Sequence, residues 1–390
     1  MQASDLIADW AFPVPARFGA GRVAEVPAIC REAGLARPLL VTDEALSALP
    51  IVRGLVARLH EAGLEPAVFD RVKSNPTETN VLAARAAYRQ GGHDMIIAMG
   101  GGSGLDAGKA AALLVESDRP LWDFEWGQGL EPPAVAAFAP LIAIPTTAGT
   151  GSEMDGSGAV ITDEAGQAKR SVFHPGQQPL AVVLDPELTL GLPRDLTAWT
   201  GLDALTHALE GYSVPLFHPL CDGAATQALA MVRDWLPRAV EAGDDLEARS
   251  YMLAASSLAA VSFQKGLGAV HALAHAVGAV FDSHHGLTNA VLLPYVLQHN
   301  RAALGDRFDP LARALGLAEP GFDSVLDWVL ALRRRFGVPE SLAELAVPAA
   351  ALPALAETAT KDGNGTTNPL PMDRAGYLAL LERAHAGDLG

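Results

Sequence analysis

The hydrophobic pattern of the first half of the chain alternates between two kinds of segment. Short apolar runs begin at Pro38, Glu65, His93, Pro140 and Pro179. Between them lie amphipathic stretches such as VRGLVARLHEAG and NVLAARAAYRQGG, in which apolar residues recur at helical spacing. The runs predict buried strands that lead into loops. Strands and helices in alternation are typical of a parallel sheet with helices on both faces.

The second half of the chain has a different pattern. From about Leu196 onward it is rich in Ala and Leu at helical periodicity, interrupted by Gly and Pro, and strand signals almost disappear. We therefore predict an α/β domain over residues 1–190 and an all-helical domain over residues 191–390.

Composition narrows the class of protein. The 390 residues, 49% of them hydrophobic, are enough for two sizeable cores. A net charge of −17 argues against a nucleic-acid partner, because phosphates demand a basic surface. Two cysteines are too few for a disulfide framework and fit a reducing compartment. With no export signal at the start and no apolar stretch of about 18 residues, we expect a soluble cytoplasmic protein without a membrane partner.

Two segments of the helical half, GLDALTHALEGY and HALAHAVGAVFDSHHG, carry candidate metal ligands. Asp203 and His207 are four residues apart, so on a helix both side chains lie on one face. His271 and His275 repeat that spacing, and His285 follows ten residues later. Asp203, His207, His271 and His285 together offer three imidazoles and one carboxylate, a complete set of ligands for iron(II) or zinc(II).

These residues have other interpretations. Each of them taken alone is more often an ordinary polar residue on a solvated helix face. The helix around His271 is otherwise built from Ala, Val and Leu, however, and should be buried, and buried imidazoles need partners. Gly286 marks the place where we expect this helix to end and turn back. A zinc peptidase is excluded because Ala272 stands where such enzymes place their glutamate base.

The segment MIIAMGGGSGLDAGKAAALL is a candidate phosphate site. An apolar strand runs into Gly100–Ser103, and a helix follows from about Leu105. Free N–H groups at a helix start, with no Cβ to crowd the approach, suit a phosphate or pyrophosphate. The usual Rossmann fingerprint is not met, because Leu105 stands where the third glycine belongs, and a P-loop would need glycine at Ser103. A simple tight turn is the alternative interpretation.

A second loop and one carboxylate strengthen the nucleotide hypothesis. PLIAIPTTAGTGSEMDG again follows a strand and presents Thr146, Thr147 and Thr150 among glycines. Open α/β sheets bind their ligands beyond the carboxyl ends of the strands. Asp43 ends the strand LLVTD, where a carboxylate would hold two ribose hydroxyls and repel a 2′-phosphate. An N-cap for the following helix is an equally good explanation of Asp43.

In this order and at these separations, GGGSGLDAGKA, IPTTAGTGSE, GLDALTHALEGY and HALAHAVGAVFDSHHGLTNAVLLP resemble the iron-containing (group III) alcohol dehydrogenases. The resemblance runs from Phe18 to Pro371. It implies an N-terminal Rossmann-like domain, an all-helical C-terminal metal-binding domain of the dehydroquinate synthase-like architecture, and an active site in the cleft between them. We also expect a homodimer or a higher homo-oligomer.

The resemblance assigns roles residue by residue. The metal ligands fall on Asp203, His207, His271 and His285, and the non-ligand His275 is suited to proton transfer. The pyrophosphate contacts fall on Gly101, Gly102 and Ser103, with Asp106 and Lys109 on the helix that follows. Thr146, Thr147 and Thr150 line the cofactor, and Asp43 lies where the family chooses NAD(H) over NADP(H).

Two positions depart from the pattern of the family. Asn368–Pro369 is followed by Leu370, whereas the family often has an arginine there that binds an anion. The stretch from Glu153 to Val160 is one residue longer and richer in glycine than usual. Because this stretch should border the substrate pocket, the substrates of better-known members do not predict the substrate of this chain.

The predicted reaction is a hydride transfer between nicotinamide and a small alcohol or aldehyde, with a divalent metal as Lewis acid and His275 as proton relay. A short aliphatic alcohol, a diol, lactaldehyde and a hydroxy acid such as 4-hydroxybutyrate all fit. Iron(II) is expected, and the same ligands accept zinc(II), manganese(II) or nickel(II).

The sequence leaves two alternative functions open. A non-redox synthase or cyclase of the dehydroquinate synthase type would use a glutamate with two histidines and several lysines, whereas the second half of this chain has only Lys265 and Lys361. A non-catalytic nucleotide-binding relative would have no need of the intact ligand set.

Overall fold

The computed structural model describes residues 14–126, 133–135, 137–155 and 158–390. Its chain divides into two compact units. The sheet unit comprises the described residues from 14 to 192 together with Asp244–Leu253. The helical unit comprises Pro193–Gly243 and Ala254–Gly390. No helix within the described ranges has both the length and the apolar character needed to cross a membrane.

The sheet unit contains a six-stranded parallel sheet and a separate antiparallel pair of strands. The strands are β1 (Ala16–Phe18), β2 (Pro38–Asp43), β3 (Ala67–Val72), β4 (Met95–Gly100), β5 (Leu141–Pro145), β6 (Gly158–Asp163), β7 (Ala168–Phe173) and β8 (Ala181–Leu184). The order in the large sheet is β1-β8-β5-β4-β2-β3, and β6 pairs with β7. The helices are α1 (Val26–Glu32), α2 (Glu44–Ser47), α3 (Pro50–Glu61), α4 (Glu78–Gly91), α5 (Gly102–Leu114) and α6 (Ser152–Asp155).

Both faces of the large sheet are covered by helices, as the sequence predicted. Successive side chains of a strand point to opposite faces, and β4 shows the consequence. Ile96 and Ala98 pack into one apolar cluster with residues of α4 and α5, whereas Met95, Ile97 and Met99 pack into another with residues of α1 and α3. The predicted α/β class is therefore confirmed.

Two features of the sheet unit were not predicted. β1 is only three residues long, lies at the edge of the sheet and has no buried residue, so it leaves little pattern to detect. The pair β6 and β7 follows the second loop, and in β7 only Val172 is buried. An alternation of apolar and polar residues, the usual signal of a strand, is therefore almost absent there.

The helical unit consists of α7 (Arg194–Ser213), α8 (Pro219–Glu241), α9 (Leu246–Ser262, of which the first eight residues group with the sheet unit), α10 (Ala269–Phe281), α11 (His285–Ala314), α12 (Phe322–Arg335), α13 (Leu352–Ala359) and α14 (Arg374–Ala386). Between residues 193 and 390 the structure contains no strand, in agreement with the predicted all-helical half. α7 packs against α8 and α11, and α10 packs against α11 and α13. Helix α11 therefore contacts both α7 and α10.

Candidate functional site

Helix α7 carries two candidate metal ligands on one buried face. Asp203, His207 and Glu210 follow one another at intervals of four and three residues, so their side chains share a face of the helix. Asp203 and His207 are 1% and 5% exposed. Two polar side chains buried to this degree need partners, and those partners come from α10 and α11.

His271 lies in the first turn of α10, and His285 is the first residue of α11. The sequence predicted that the helix of His271 would continue to Gly286. It instead ends at Phe281, because Asp282 takes a left-handed conformation (φ 50°) and closes the helix. Gly286 has a different function: a Cβ at this position would overlap the carbonyl oxygen of Trp199 and lie 3.0 Å from Cβ of Asp203. Its lack of a side chain lets α11 approach α7 beside Asp203.

The four predicted ligands lie together. One potential ligand atom from each of Asp203, His207, His271 and His285 lies within 4.8 Å of all the others. The rings of His207 and His271 are stacked with centroids 4.6 Å apart, and His285 Nε2 is 3.7 Å from Asp203 Oδ1. One carboxylate and three imidazoles are the donor chemistry that iron(II) and zinc(II) prefer. The residues present therefore fit a divalent ion of this kind.

Glu210 orients His271. Its Oε2 lies within hydrogen-bond distance of His271 Nδ1, and its Oε1 accepts a hydrogen bond of 2.8 Å from the Val270 N–H. With its proton on Nδ1, the His271 ring keeps the Nε2 lone pair for a metal. Burial raises the pKa of Glu210 to about 7 although the backbone N–H groups oppose that rise. Gly268 permits this contact, because a Cβ there would lie 2.7 Å from Glu210 Oε1.

His275 is held by a second carboxylate, which is largely buried. Its Nδ1 is 2.8 Å from Asp362 Oδ2, and its ring centroid is 5.4 Å from that of His285. Burial by itself would raise the pKa of Asp362, but His275 and the backbone N–H of Asn364 hold it below its usual range. The pair leaves Nε2 of His275 as the ring atom available to exchange a proton.

Sequence reasoning did not find Glu210, Asn289 or Asp362. Glu210 follows His207 by three residues and Asn289 follows His285 by four, so the helical spacing that identified the ligands would also have identified these two. Asp362 had no such signal, because 87 residues separate it from His275. Asn368, two residues before the position where Leu370 departs from the pattern of the family, supports the start of α10. Its Oδ1 accepts a hydrogen bond of 3.1 Å from the Ala269 N–H.

The predicted nucleotide residues lie at one edge of the large sheet. β2, β4 and β5 are neighbours in parallel register, so the loops that follow them meet. Thr146 N–H donates to the Gly100 carbonyl at 2.9 Å. A Cβ on Gly101 would lie 3.3 Å from Thr147, and one on Gly102 would lie 2.7 Å from Thr150. The two loops are packed against each other, and these glycines make that packing sterically feasible.

Asp106 and Lys109 link the second loop to α5. The Lys109 ammonium group is fully buried and donates to the Ser152 carbonyl oxygen at 2.8 Å. Asp106 accepts hydrogen bonds from the Ser152 hydroxyl and from the Val160 N–H at 3.1 Å. Burial raises the pKa of Asp106 to about 6, although the charge of Lys109 opposes the rise. Both side chains thus make contacts inside the protein, and these contacts hold the loop in place.

The remaining cofactor candidates make local contacts. Asp43 Oδ1 accepts a hydrogen bond of 2.9 Å from the Leu46 N–H and so caps α2, the alternative that the sequence also allowed. The Ser103 hydroxyl donates to the Ser74 carbonyl oxygen. The departure over residues 153–160 falls partly on residues 156 and 157, which lie outside the described residues, and otherwise on α6 and the start of β6.

Comparison with known proteins identifies the family. A family model described as "Iron-containing alcohol dehydrogenase" matches residues 13–186, and a second model, described as "Fe-containing alcohol dehydrogenase family, C-terminal", matches residues 197–385. The chain is 37% identical to a 4-hydroxybutyrate dehydrogenase of Cupriavidus necator over 93% of this chain and 96% of that protein. It is 35% identical to an NAD-dependent methanol dehydrogenase of Bacillus methanolicus, over 92% and 94%.

A solved structure described as 1,3-propanediol oxidoreductase superposes with a TM-score of 0.91 at 35% identity, over 97% of this chain and all of that chain. These matches confirm the resemblance read from the four sequence motifs, and they do not favour a non-redox synthase. The chain belongs to the iron-containing alcohol dehydrogenase family, whose members are oxidoreductases that use NAD(H) and iron or another divalent metal.

Proposed function

We propose that the chain transfers a hydride reversibly between NAD(H) and a small alcohol or aldehyde, and that Asp203, His207, His271 and His285 hold the divalent metal this requires. The observation that carries the proposal is the convergence of four ligand atoms, from three different helices, within 4.8 Å. Residues 191–390 would form the metal domain and residues 1–190 the dinucleotide domain.

When bound, the metal would supply a Lewis acid for the substrate oxygen, and the nicotinamide would supply the hydride acceptor or donor. The chain supplies the rest. Glu210 fixes the ring of His271, so that its Nε2 faces the other ligands. His275 is the group we assign to proton exchange with the substrate hydroxyl, because Asp362 holds its Nδ1 and leaves Nε2 to give or take a proton.

In the sheet unit, the two packed loops are the proposed seat of NAD(H). Backbone N–H groups at Gly101, Gly102 and Ser103, at the start of α5, would bind the pyrophosphate. Thr146, Thr147 and Thr150 would line the cofactor. Asp106 and Lys109 would support the same site from inside, through the contacts that hold the second loop.

Asp43 would bind the ribose with the carboxylate oxygen that does not cap α2, and so favour NAD(H) over NADP(H).

The substrate class follows from the family rather than from a pocket of known shape. Relatives are described as dehydrogenases of 4-hydroxybutyrate, methanol and 1,3-propanediol. We propose a short alcohol, a diol, lactaldehyde or a short hydroxy acid for this chain, with iron(II) as the metal and zinc(II), manganese(II) and nickel(II) as substitutes. A cytoplasmic location and a homodimer or higher homo-oligomer are part of the same proposal.

A substrate panel under anaerobic iron(II) loading tests this function. NADH and each aldehyde would be mixed with the loaded protein and absorbance followed at 340 nm, and the reverse reaction would use NAD+ and each alcohol. We expect turnover with at least one short substrate, lost when the metal is chelated and restored by iron(II). Metal-independent turnover, or no turnover with any substrate in either direction, would contradict the proposal.

A further inference from the structure

Asn289 places a buried amide among the proposed metal ligands. It lies in α11, four residues after His285, and is completely buried. Its Nδ2 is 2.8 Å from Asp203 Oδ1, 3.1 Å from His285 Nε2 and 3.2 Å from His271 Nε2. Its Oδ1 is buried without a hydrogen-bond partner among the described residues. These contacts fix the orientation of the amide, with Nδ2 toward Asp203, because an oxygen in place of Nδ2 would face the carboxylate oxygen of Asp203.

The three atoms that surround this Nδ2 are three of the proposed ligand atoms. His271 already uses Nδ1 toward Glu210, so its Nε2 offers a lone pair to the amide. A hydrogen-bond donor and a metal cation both bind these three atoms through their lone pairs, and both require the lone pairs to point toward one position. The amide and an ion bound to the same lone pairs therefore compete.

The Asn289 amide stabilises the buried carboxylate of Asp203. A carboxylate that is 1% exposed is costly to bury without a donor or a cation. When no ion is bound, the Asn289 N–H group supplies such a donor. The Asn289 amide nitrogen has only two hydrogens, so it cannot donate to all three neighbouring acceptor atoms at once. A divalent ion interacts with all three of these atoms together.

We infer that Asn289 is a positioning residue that substitutes for the metal in the metal-free protein. Its amide holds Asp203, His271 and His285 close to their ligand arrangement, and an incoming ion takes over these lone pairs. The inference rests on the proposed metal site. It has a consequence that ordinary packing does not have: removal of the amide destabilises the metal-free protein more than the metal-loaded protein, and thereby tightens metal binding.

The test compares Asn289→Leu, which keeps the size of the side chain and removes its polar atoms, with Thr288→Val as a matched control. Thr288 is buried in the same turn of α11, but its hydroxyl contacts the His284 carbonyl and Ser283. Melting temperatures would be measured for chelator-treated and zinc(II)-loaded protein, and the zinc(II) Kd by competition with a chelator.

For Asn289→Leu we expect the melting temperature to fall by about 3–8 °C without metal and by less than half as much with zinc(II). By linkage, the zinc(II) Kd must then tighten, by about 10-fold. Thr288→Val should lower both melting temperatures equally and leave the Kd unchanged. If Asn289→Leu is insoluble, Asn289→Asp replaces it: a second carboxylate beside Asp203 should enlarge the melting-temperature rise on zinc(II) binding above that of the wild type.

Equal falls in both forms of Asn289→Leu would overturn the inference, since they are what an ordinary core residue gives. A weaker zinc(II) Kd, an unchanged Kd or unchanged melting temperatures would also overturn it, as would an Asn289→Asp protein with no larger zinc(II) effect than the wild type. Failure of the proposed metal site looks different, because the wild-type protein would then show no zinc(II)-dependent change at all, and failure of the proposed activity would appear only as absent turnover in the substrate panel.

Discussion

Replacement of Glu210 by glutamine tests how the ligand His271 is held. The glutamine has the same size and can still accept the hydrogen bond from the Val270 N–H through its oxygen. It must then present an NH₂ group to His271 Nδ1, where the native contact has a carboxylate oxygen. The imidazole proton is thereby driven to Nε2, the atom we assign to the metal. If the amide flips instead, the bond to Val270 is lost.

The expected loss is one of metal affinity. Groups that orient metal-bound histidines typically change affinity by about 10–100-fold, which corresponds to roughly 1.4–2.8 kcal/mol of binding free energy. The zinc(II) Kd of Glu210→Gln would be measured by chelator competition next to Ser213→Ala, a buried position one turn further along α7 whose hydroxyl donates to the Leu209 carbonyl at 2.6 Å. Ser213→Ala should bind zinc(II) as the wild type does. A wild-type Kd for Glu210→Gln would refute the assigned role of Glu210.

Three further predictions concern other parts of the molecule. His275→Ala should keep its metal and lose turnover by roughly 10²–10⁴-fold; metal content, melting temperature and kcat on one preparation decide, and a normal kcat with a lowered melting temperature would make His275 structural. Asp43→Gly should relax the preference for NAD(H) over NADP(H), while glycine preserves most of the helix cap; an unchanged ratio of the two kcat/KM values would show that Asp43 does not select the cofactor. For Asp106 the pKa is raised from 3.8 to about 6, so its contribution to stability is fully present below about pH 4 and is lost as the pH rises through about 6. Relative to Asp106→Asn, the wild type should therefore lose roughly 3 kcal/mol of unfolding free energy between pH 4 and pH 7, and a pH-independent difference in denaturant titrations would contradict this.

The sequence predicted the parts of the fold that depend on long, regular patterns. The apolar runs at Pro38, Glu65, His93, Pro140 and Pro179 each contain a strand of the large sheet. Four of these strands, β2, β4, β5 and β8, are buried at nearly every position and are almost entirely apolar, so they are detected without any partner. β7 lies mostly at intermediate depth, and the apolar content that makes a strand visible is missing there.

Spacing along a helix explains how much of the candidate site could be found. Asp203 with His207 is a local pair, and the structure places both on one face of α7. The end of α10 was predicted too late because an aspartate, Asp282, takes the left-handed position that usually indicates glycine. Lys109 shows a different limit: its place on the helix after the glycine loop does not reveal that its ammonium group lies inside the protein, against Ser152.

Contacts between distant segments lay beyond sequence reasoning. Asp362 reaches His275 from a 3₁₀ turn that has no helical periodicity in common with α10. Asn368 reaches the start of α10 from 99 residues away. Such partners are set by how the helices pack, which a single sequence does not reveal.

The central claim is that Asp203, His207, His271 and His285 hold the divalent ion on which activity depends. Iron content after anaerobic loading and desalting tests this claim most directly. His285→Ala would be compared with His284→Ala, because the native His284 side chain caps α11 and is not one of the proposed ligands. The wild type and His284→Ala should retain about one iron(II) per chain, whereas His285→Ala should retain less than about a tenth of that and lose its turnover. Full iron occupancy of His285→Ala with unchanged turnover would contradict the account.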